Sequence, residues 1–364
     1  MGYRIVIHHE LTEFLKLEKE WETLLPQTDA WGAALTWTWM NVWLDHFGDT
    51  GELWLLTARD EETDDLVGIA PLFKRKVKPK YGFAYHQLEF IGGSHHHENL
   101  GFIIREEHKD KLIPEFIAYL LAFQDEWDAV LLSGLADEET CQILKASGLG
   151  WERNQDAEMI SPSEPLPSSV DDWFSSLSRN RRSKLRGYYN KMDDEFPGEW
   201  QIKTITQRDE LDEVYQNLVK YHQAQWEERG LEGAFFYGEW VGYFHDLMVV
   251  FLEKGWLRLN CLCIQEQPAA ILFSYHYRGR AYNHISGINP NVTEIPLGHV
   301  MTRFSIETAI SESLTEYMFM WGVEPYKYSF GAQDRTLFAF ELISSPRVRL
   351  QQSLVEFLRK MKRS

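Results

Sequence analysis

The chain carries one arrangement of strands twice. Residues 53–58 and 66–74 are apolar runs separated by a polar turn at 60–65, and residues 257–264 and 269–277 repeat the pattern around a turn at 265–268. The offset is about 204 residues, counting Leu53 against Leu257, and a later strand recurs about 188 residues on, counting Val130 against Met318. The shorter second offset reflects a longer loop at 95–108 in the first copy. A repeat as long as a domain predicts two copies of one fold rather than a solenoid of short units. A chain of 364 residues with 44% hydrophobic and 14% aromatic content can fill two cores.

Around this skeleton, helical spacing predicts helices over 11–24, 37–47 and 112–123 in the first copy and over 211–228 in the second; strands are expected at 4–8, 87–91 and 129–132. The fold class expected is therefore α+β, with two tandem domains, each a mixed β-sheet flanked by helices. The run Ser161-Pro-Ser-Glu-Pro-Leu-Pro-Ser-Ser169 reads as the joint. This gives a first domain over 1–160, a linker over 161–170 and a second domain over 171–364.

Charge narrows the partners. With 37 basic and 55 acidic residues, the formal charge of −18 opposes broad binding to nucleic acid or to anionic membranes. No apolar run is long enough to span a membrane and no basic leader precedes one, so a cytoplasmic location is expected. Cys141, Cys261 and Cys263 form no disulfide framework and read as buried thiols. His95-His96-His97-Glu98 looks metal-binding, but neighbouring side chains on extended chain point to alternate sides. A surface loop is the better reading and no metal is expected.

The most informative stretch runs from 282 to 331. It reads as a strand over 282–286, a loop over 287–295, a helix over 296–310, a strand over 317–321 and a closing loop over 322–331. A helix beginning Pro296-Leu297-Gly298-His299 with Arg303 nearby lacks the acid that usually complements the dipole. A bound anion such as a pyrophosphate could take its place. An ordinary packed helix with a glycine under a strand fits the same residues.

Gly287-Ile-Asn-Pro, Pro296-Leu-Gly298-His299 and Gly322-Val-Glu-Pro-Tyr326-Lys327, in this order, resemble the C-terminal half of GNAT-related acetyltransferases of the CelD/BioF2 type. These are similar in turn to the Fem-type peptidyltransferases, with two tandem GNAT-like domains and aminoacyl-tRNA as donor. The resemblance covers about 173–335 and fits the first half only weakly. It implies two GNAT-like domains, the first degenerate, and acetyl-CoA as co-substrate, held at Leu297, Gly298, His299 and Arg303. The Gln/Arg-x-x-Gly-x-Gly/Ala phosphate loop of typical GNAT enzymes is absent; Asn291-Val-Thr-Glu-Ile-Pro-Leu stands before Gly298. The match also implies that Lys327 holds the acceptor or developing charge and that Tyr326 protonates the leaving group, with Glu324 and Tyr328 beside them.

Acyl transfer to an amine needs a proton acceptor, a polarised carbonyl and help for the leaving group. His222 is one candidate base, on an apolar helix stripe with Trp226 one turn on; a satisfied core histidine would look the same. His284 is a second, on a strand face shared with Tyr282 and Ser286, lining either a cleft or a solvent-facing edge. Six basic residues between Arg179 and Lys191, with no acid among them, could contact phosphates or pair with acidic surface. The expected activity is an N-acyltransferase acting on the amine of a small molecule, amino sugar or cell-envelope precursor. An aminoacyl-tRNA-dependent enzyme and a non-catalytic binding module are the alternatives. Oligomeric state is not legible.

Overall fold

Each of the two hairpins read from the sequence forms the centre of its own sheet. The computed structural model describes residues 2–80, 82–93, 98–147 and 150–363. The chain divides into one unit of Met1–Met159 with Thr336–Ser364 and a second of Ile160–Arg335. In the first sheet the strands run in the order Tyr3–His8, Gly51–Asp60, Leu66–Val77, Tyr85–Phe90, Ala129–Leu135, Thr336–Ile343 and Glu152–Arg153. In the second the order is Trp200–Ile205, Leu257–Ile264, Gln267–Tyr277, Arg280–Ile288, Glu316–Met318 and Ser163–Pro165. The fourth and fifth strands of both sheets are parallel and their other neighbours antiparallel. The duplication is thus one of topology as well as of pattern.

Local chemistry sets the two hairpin turns differently. Asp60 Oδ1 accepts from the Glu62 and Thr63 amides at 2.8 and 3.1 Å, closing the longer turn. In the second hairpin Gln265 and Glu266 both take left-handed conformations, φ 50° and 64°, which match the twist of the flanking strands. The helix expected over 11–24 breaks at Leu17, whose amide bonds back to Phe14 O at 3.0 Å. That tighter turn lets Phe14, Leu17 and Trp21 all bury.

Both domain boundaries read from the sequence need correction. The expected linker is structured: Ser163–Pro165 pairs antiparallel with Glu316–Met318. The second domain does not run to 364, because Thr336–Ile343 pairs with Ala129–Leu135 and returns the chain to the first sheet. Neither pairing has a local signal, since both join segments far apart in sequence. Of the three histidines read as a surface loop, His95, His96 and His97 lie outside the described residues. Cys141, Cys261 and Cys263 are buried free thiols.

In the second unit one helix organises the packing. Leu297–Ser311 lays Leu297, Val300, Met301, Ile306 and Ile310 on one face of the sheet. Arg208–Glu228 packs close to the strand Arg280–Ile288. A Cβ on Gly287 would sit 2.7 Å from Leu218 O, so glycine is required there. The helix Gly238–Glu253 buries Tyr243, Phe244, Leu247, Met248 and Phe251.

Candidate active site

The second sheet parts at its parallel pair. Arg280, Ala281 and Tyr282 pair with Glu316, Tyr317 and Met318, and among the described residues the rest of Arg280–Ile288 has a sheet partner only on its other side, in Gln267–Tyr277. Beyond Met318 the chain turns away: Phe319 N–H donates to Pro162 O, Met320 is left-handed at φ 60°, and Gly322 N–H donates to Ile160 O. A one-sided strand edge opposite the start of the Leu297–Ser311 helix is the result. No side chain caps that helix start and its first turn carries no acid. Gly298 meets the splayed arm there, where an added Cβ would lie 3.2 Å from Ile288 Cδ1.

His284 sits at a bulge on this arm. Register shifts between Phe273 and Ser274, whose partners are Ile285 and Asn283, so His284 is the extra residue. The expected sharing of one face by Tyr282, His284 and Ser286 is therefore broken. The imidazole lies 5.4 Å from the Phe244 ring and 5.2 Å from Phe273. Burial pushes its pKa down to about 4, against a bond to its own backbone that raises it. It is neutral at pH 7 and a weak base.

Beneath the parting lie three polar side chains that sequence reasoning missed. Asn283, Ser305 and Tyr317 are all buried. The Tyr317 hydroxyl lies toward Ser305 and Asn283, but neither it nor Ser305 Oγ completes a hydrogen bond of proper geometry. Small polar residues on the inner face of a packed helix, here Thr302 and Ser305, were the available signal.

His222 and Lys327 are straps. His222 Nδ1 donates to Ser286 O at 2.8 Å and Nε2 accepts from Ala234 N–H at 3.1 Å, so both nitrogens are engaged and the base role is not available to it in this state. Burial lowers its pKa, keeping the ring neutral, against the bond to Ser286. Trp226 lies 5.6 Å from its ring. Lys327, 3% exposed, donates to the carbonyls of Met320, Trp321 and Gly322 at 2.7, 2.8 and 3.0 Å and pairs with Glu324 at 2.9 Å. Its ammonium holds the left-handed turn at Met320 and is not presented to an acceptor. The reason is local: Pro325–Ser329 forms a short helix that points Lys327 back along its own loop.

Other expected residues divide the same way. Arg303 bonds Glu307 at 2.8 Å and Leu185 O at 3.1 Å and lies 4.1 Å over the Tyr189 ring, so it fastens the Arg179–Glu195 helix instead of awaiting a phosphate. Tyr328 donates to Asp334 at 2.5 Å. His299 and Tyr326 do come together, with ring centroids 6.3 Å apart and Tyr188 5.4 Å from His299. Burial, and less so Glu324, raise the Tyr326 pKa and keep it protonated; burial and Lys184 lower that of His299. In the basic helix, Arg182 donates to Ser175 O and Leu177 O and Arg186 covers Phe174, while Arg179 and Lys184 are exposed.

A cavity of about 330 Å³ lies elsewhere, in the first unit, lined by Asp29, Trp31, Asn99, Phe102, Leu135 and Asp137 among others. Asp29, Asp137 and Glu139 converge there as a metal site would. The Lys109 ammonium sits among them at 2.6, 2.5 and 3.1 Å.

Comparison with known proteins adds the relationships. Residues 179–328 match the family described as the acetyltransferase (GNAT) domain. Among solved structures, FemX aligns over 97% of this chain and 99% of its own, with a TM-score of 0.64 and 14% identity. A conserved protein of unknown function from Bacteroides thetaiotaomicron VPI-5482 aligns over 94% and 100%, at 0.61 and 10%. A tandem GNAT protein from the clavulanic acid biosynthesis pathway aligns over 95% and 99%, at 0.52 and 10%. At such identities the likeness shows the fold. No curated protein matches the sequence.

Proposed function

We propose that the second unit, in which residues 179–328 match the acetyltransferase (GNAT) domain, transfers an acetyl group from acetyl-CoA to the amine of a small molecule, amino sugar or cell-envelope precursor; the fold shared with a tandem GNAT protein supports this reading. The observation that carries this reading is the open parting of Arg280–Ile288 from Glu316–Met318. An extended, amide-bearing donor arm can pair with a one-sided strand edge as an added strand. The uncapped start of Leu297–Ser311 supports a pyrophosphate at its positive end, and Gly298 lets that start pack close against Ile288 of the splayed arm.

In this reading backbone amides of the splayed arm polarise the acyl carbonyl as the amine attacks, and the C–N bond forms as the C–S bond breaks. Tyr326 keeps its proton and gives it to the leaving thiolate. Neutral His284 takes the amine's proton by way of water. His222 and Lys327 act by holding the loops at the cleft.

Isothermal titration with acetyl-CoA, with CoA as control, tests this on the native chain and on Gly298→Trp. Micromolar binding that falls on the order of 100-fold in the variant is expected, as a side chain there forces the Ile288 arm away from the helix start and deforms the cleft. The second reading is an aminoacyl-tRNA donor, supported by exposed Arg179 and Lys184 and by the missing phosphate-loop motif. Binding to neither CoA species, with salt-sensitive binding to aminoacyl-tRNA, would replace the first reading with the second.

A further inference from the structure

In a chain of net charge −18, the stretch 346–363 is basic: Arg347, Arg349, Arg359, Lys360, Lys362 and Arg363 stand against Glu356 alone. It forms one 18-residue helix, Pro346–Arg363. Its start is fastened to the first unit. Val348 is buried, the Gln351 amide accepts from Phe83 N–H at 2.8 Å, and Arg347 lies 3.7 Å over the Phe83 ring. Arg349 donates to Ile343 O at 2.7 Å. Leu350 and Leu354, one turn apart, are left 74% and 56% exposed. In the sequence Phe357, Leu358 and Met361 continue that spacing.

We propose that this helix docks on the surface of an anionic lipid bilayer, leucines inward, as an interfacial anchor. Two features favour that occupant. Apolar residues at helical spacing interleaved with Arg and Lys suit a boundary that is apolar below and negative above. A second copy would bring one basic helix against another, and like charges oppose that pairing. Among the described residues no helix is long and apolar enough to cross a membrane, so the helix lies on the bilayer. Docking through one face of one element also answers the repulsion from the acidic remainder of the chain, because screening confines that repulsion to about 10 Å at moderate salt.

The test is flotation of the full chain with vesicles of phosphatidylcholine alone and of phosphatidylcholine with phosphatidylglycerol, for the native protein and for the double variant Leu350→Glu, Leu354→Glu. Both leucines are exposed, and circular dichroism and thermal melting check that the variant keeps its fold. At least about tenfold more native chain should float with the phosphatidylglycerol vesicles, salt should reduce it, and the double variant should lose it. Equal flotation on both lipids, no flotation, or unchanged flotation of the variant overturns the proposal. A dimer by light scattering that the double variant dissolves, without flotation, assigns the face to a second copy instead.

Discussion

The two parallel strand pairs begin alike and end differently. In the first unit Gln87, Leu88 and Glu89 pair with Ala129, Val130 and Leu131, and the strands then part as in the second. There the chain fills its own gap: Leu100 bridges to Leu135, and its amide donates to Gly134 O at 3.1 Å. In the second unit no described segment takes that place beside Arg280–Ile288. One fold thus serves twice, once closed by its own chain and once with a parted arm that side chains meet in part, Ser286 O through His222 Nδ1 at 2.8 Å and Ile288 N–H through Gln225 Oε1 at 3.2 Å. An edge without a strand partner costs free energy unless side chains, water or a ligand meet it, so the copy that keeps such an edge is the one to examine for chemistry.

This contrast can be broken by experiment. Lys327→Met should have the largest effect, because it strips three carbonyls and Glu324 of a buried partner. A loss of about 4 kcal/mol in urea unfolding is expected, with activity falling alongside. A stable but inactive variant would instead return Lys327 to the chemistry. Leu100→Ala should cost about 3 kcal/mol by loosening the plug of the first unit, with kcat/KM unchanged. If kcat/KM collapses while the protein stays folded at the assay temperature, the first copy is more than structural.

The smallest effect is a pH dependence. The native pKa of His284, about 4, lies below the ordinary 6.5, so folding favours the neutral ring. The stability this contributes is complete above about pH 6.5 and is lost as pH falls through 4. His284→Phe should therefore flatten the acid limb of a stability–pH curve by about 2 kcal/mol, allowing for partial exposure. An unchanged acid limb would mean that the imidazole is well hydrated and better suited to act as a base.

Much of the scaffold was legible because its signals are local. Leu257–Ile264 and Trp37–Phe47 keep one period from end to end and coincide with their expected spans. The acid-free helix start at Pro296 was visible as well. What sequence could not supply was partnership. A buried Lys327 and an exposed one are the same letter, and only the fold reveals that its loop consumes every donor. Ser286 was placed on the face of Tyr282 and His284 because strict alternation assumes no bulge, and the paired segments at 163–165 and 336–343 join residues too distant for any window.

The return of the chain at Thr336 has a consequence for synthesis. The first sheet lacks Thr336–Ile343 until residues 160–335 have left the ribosome. The half that is made first is therefore completed last, and its Ala129–Leu135 edge stays unpaired on that side throughout. A nascent chain stalled before residue 336 would expose that edge to neighbours, so quality control on this protein should act chiefly on its N-terminal half.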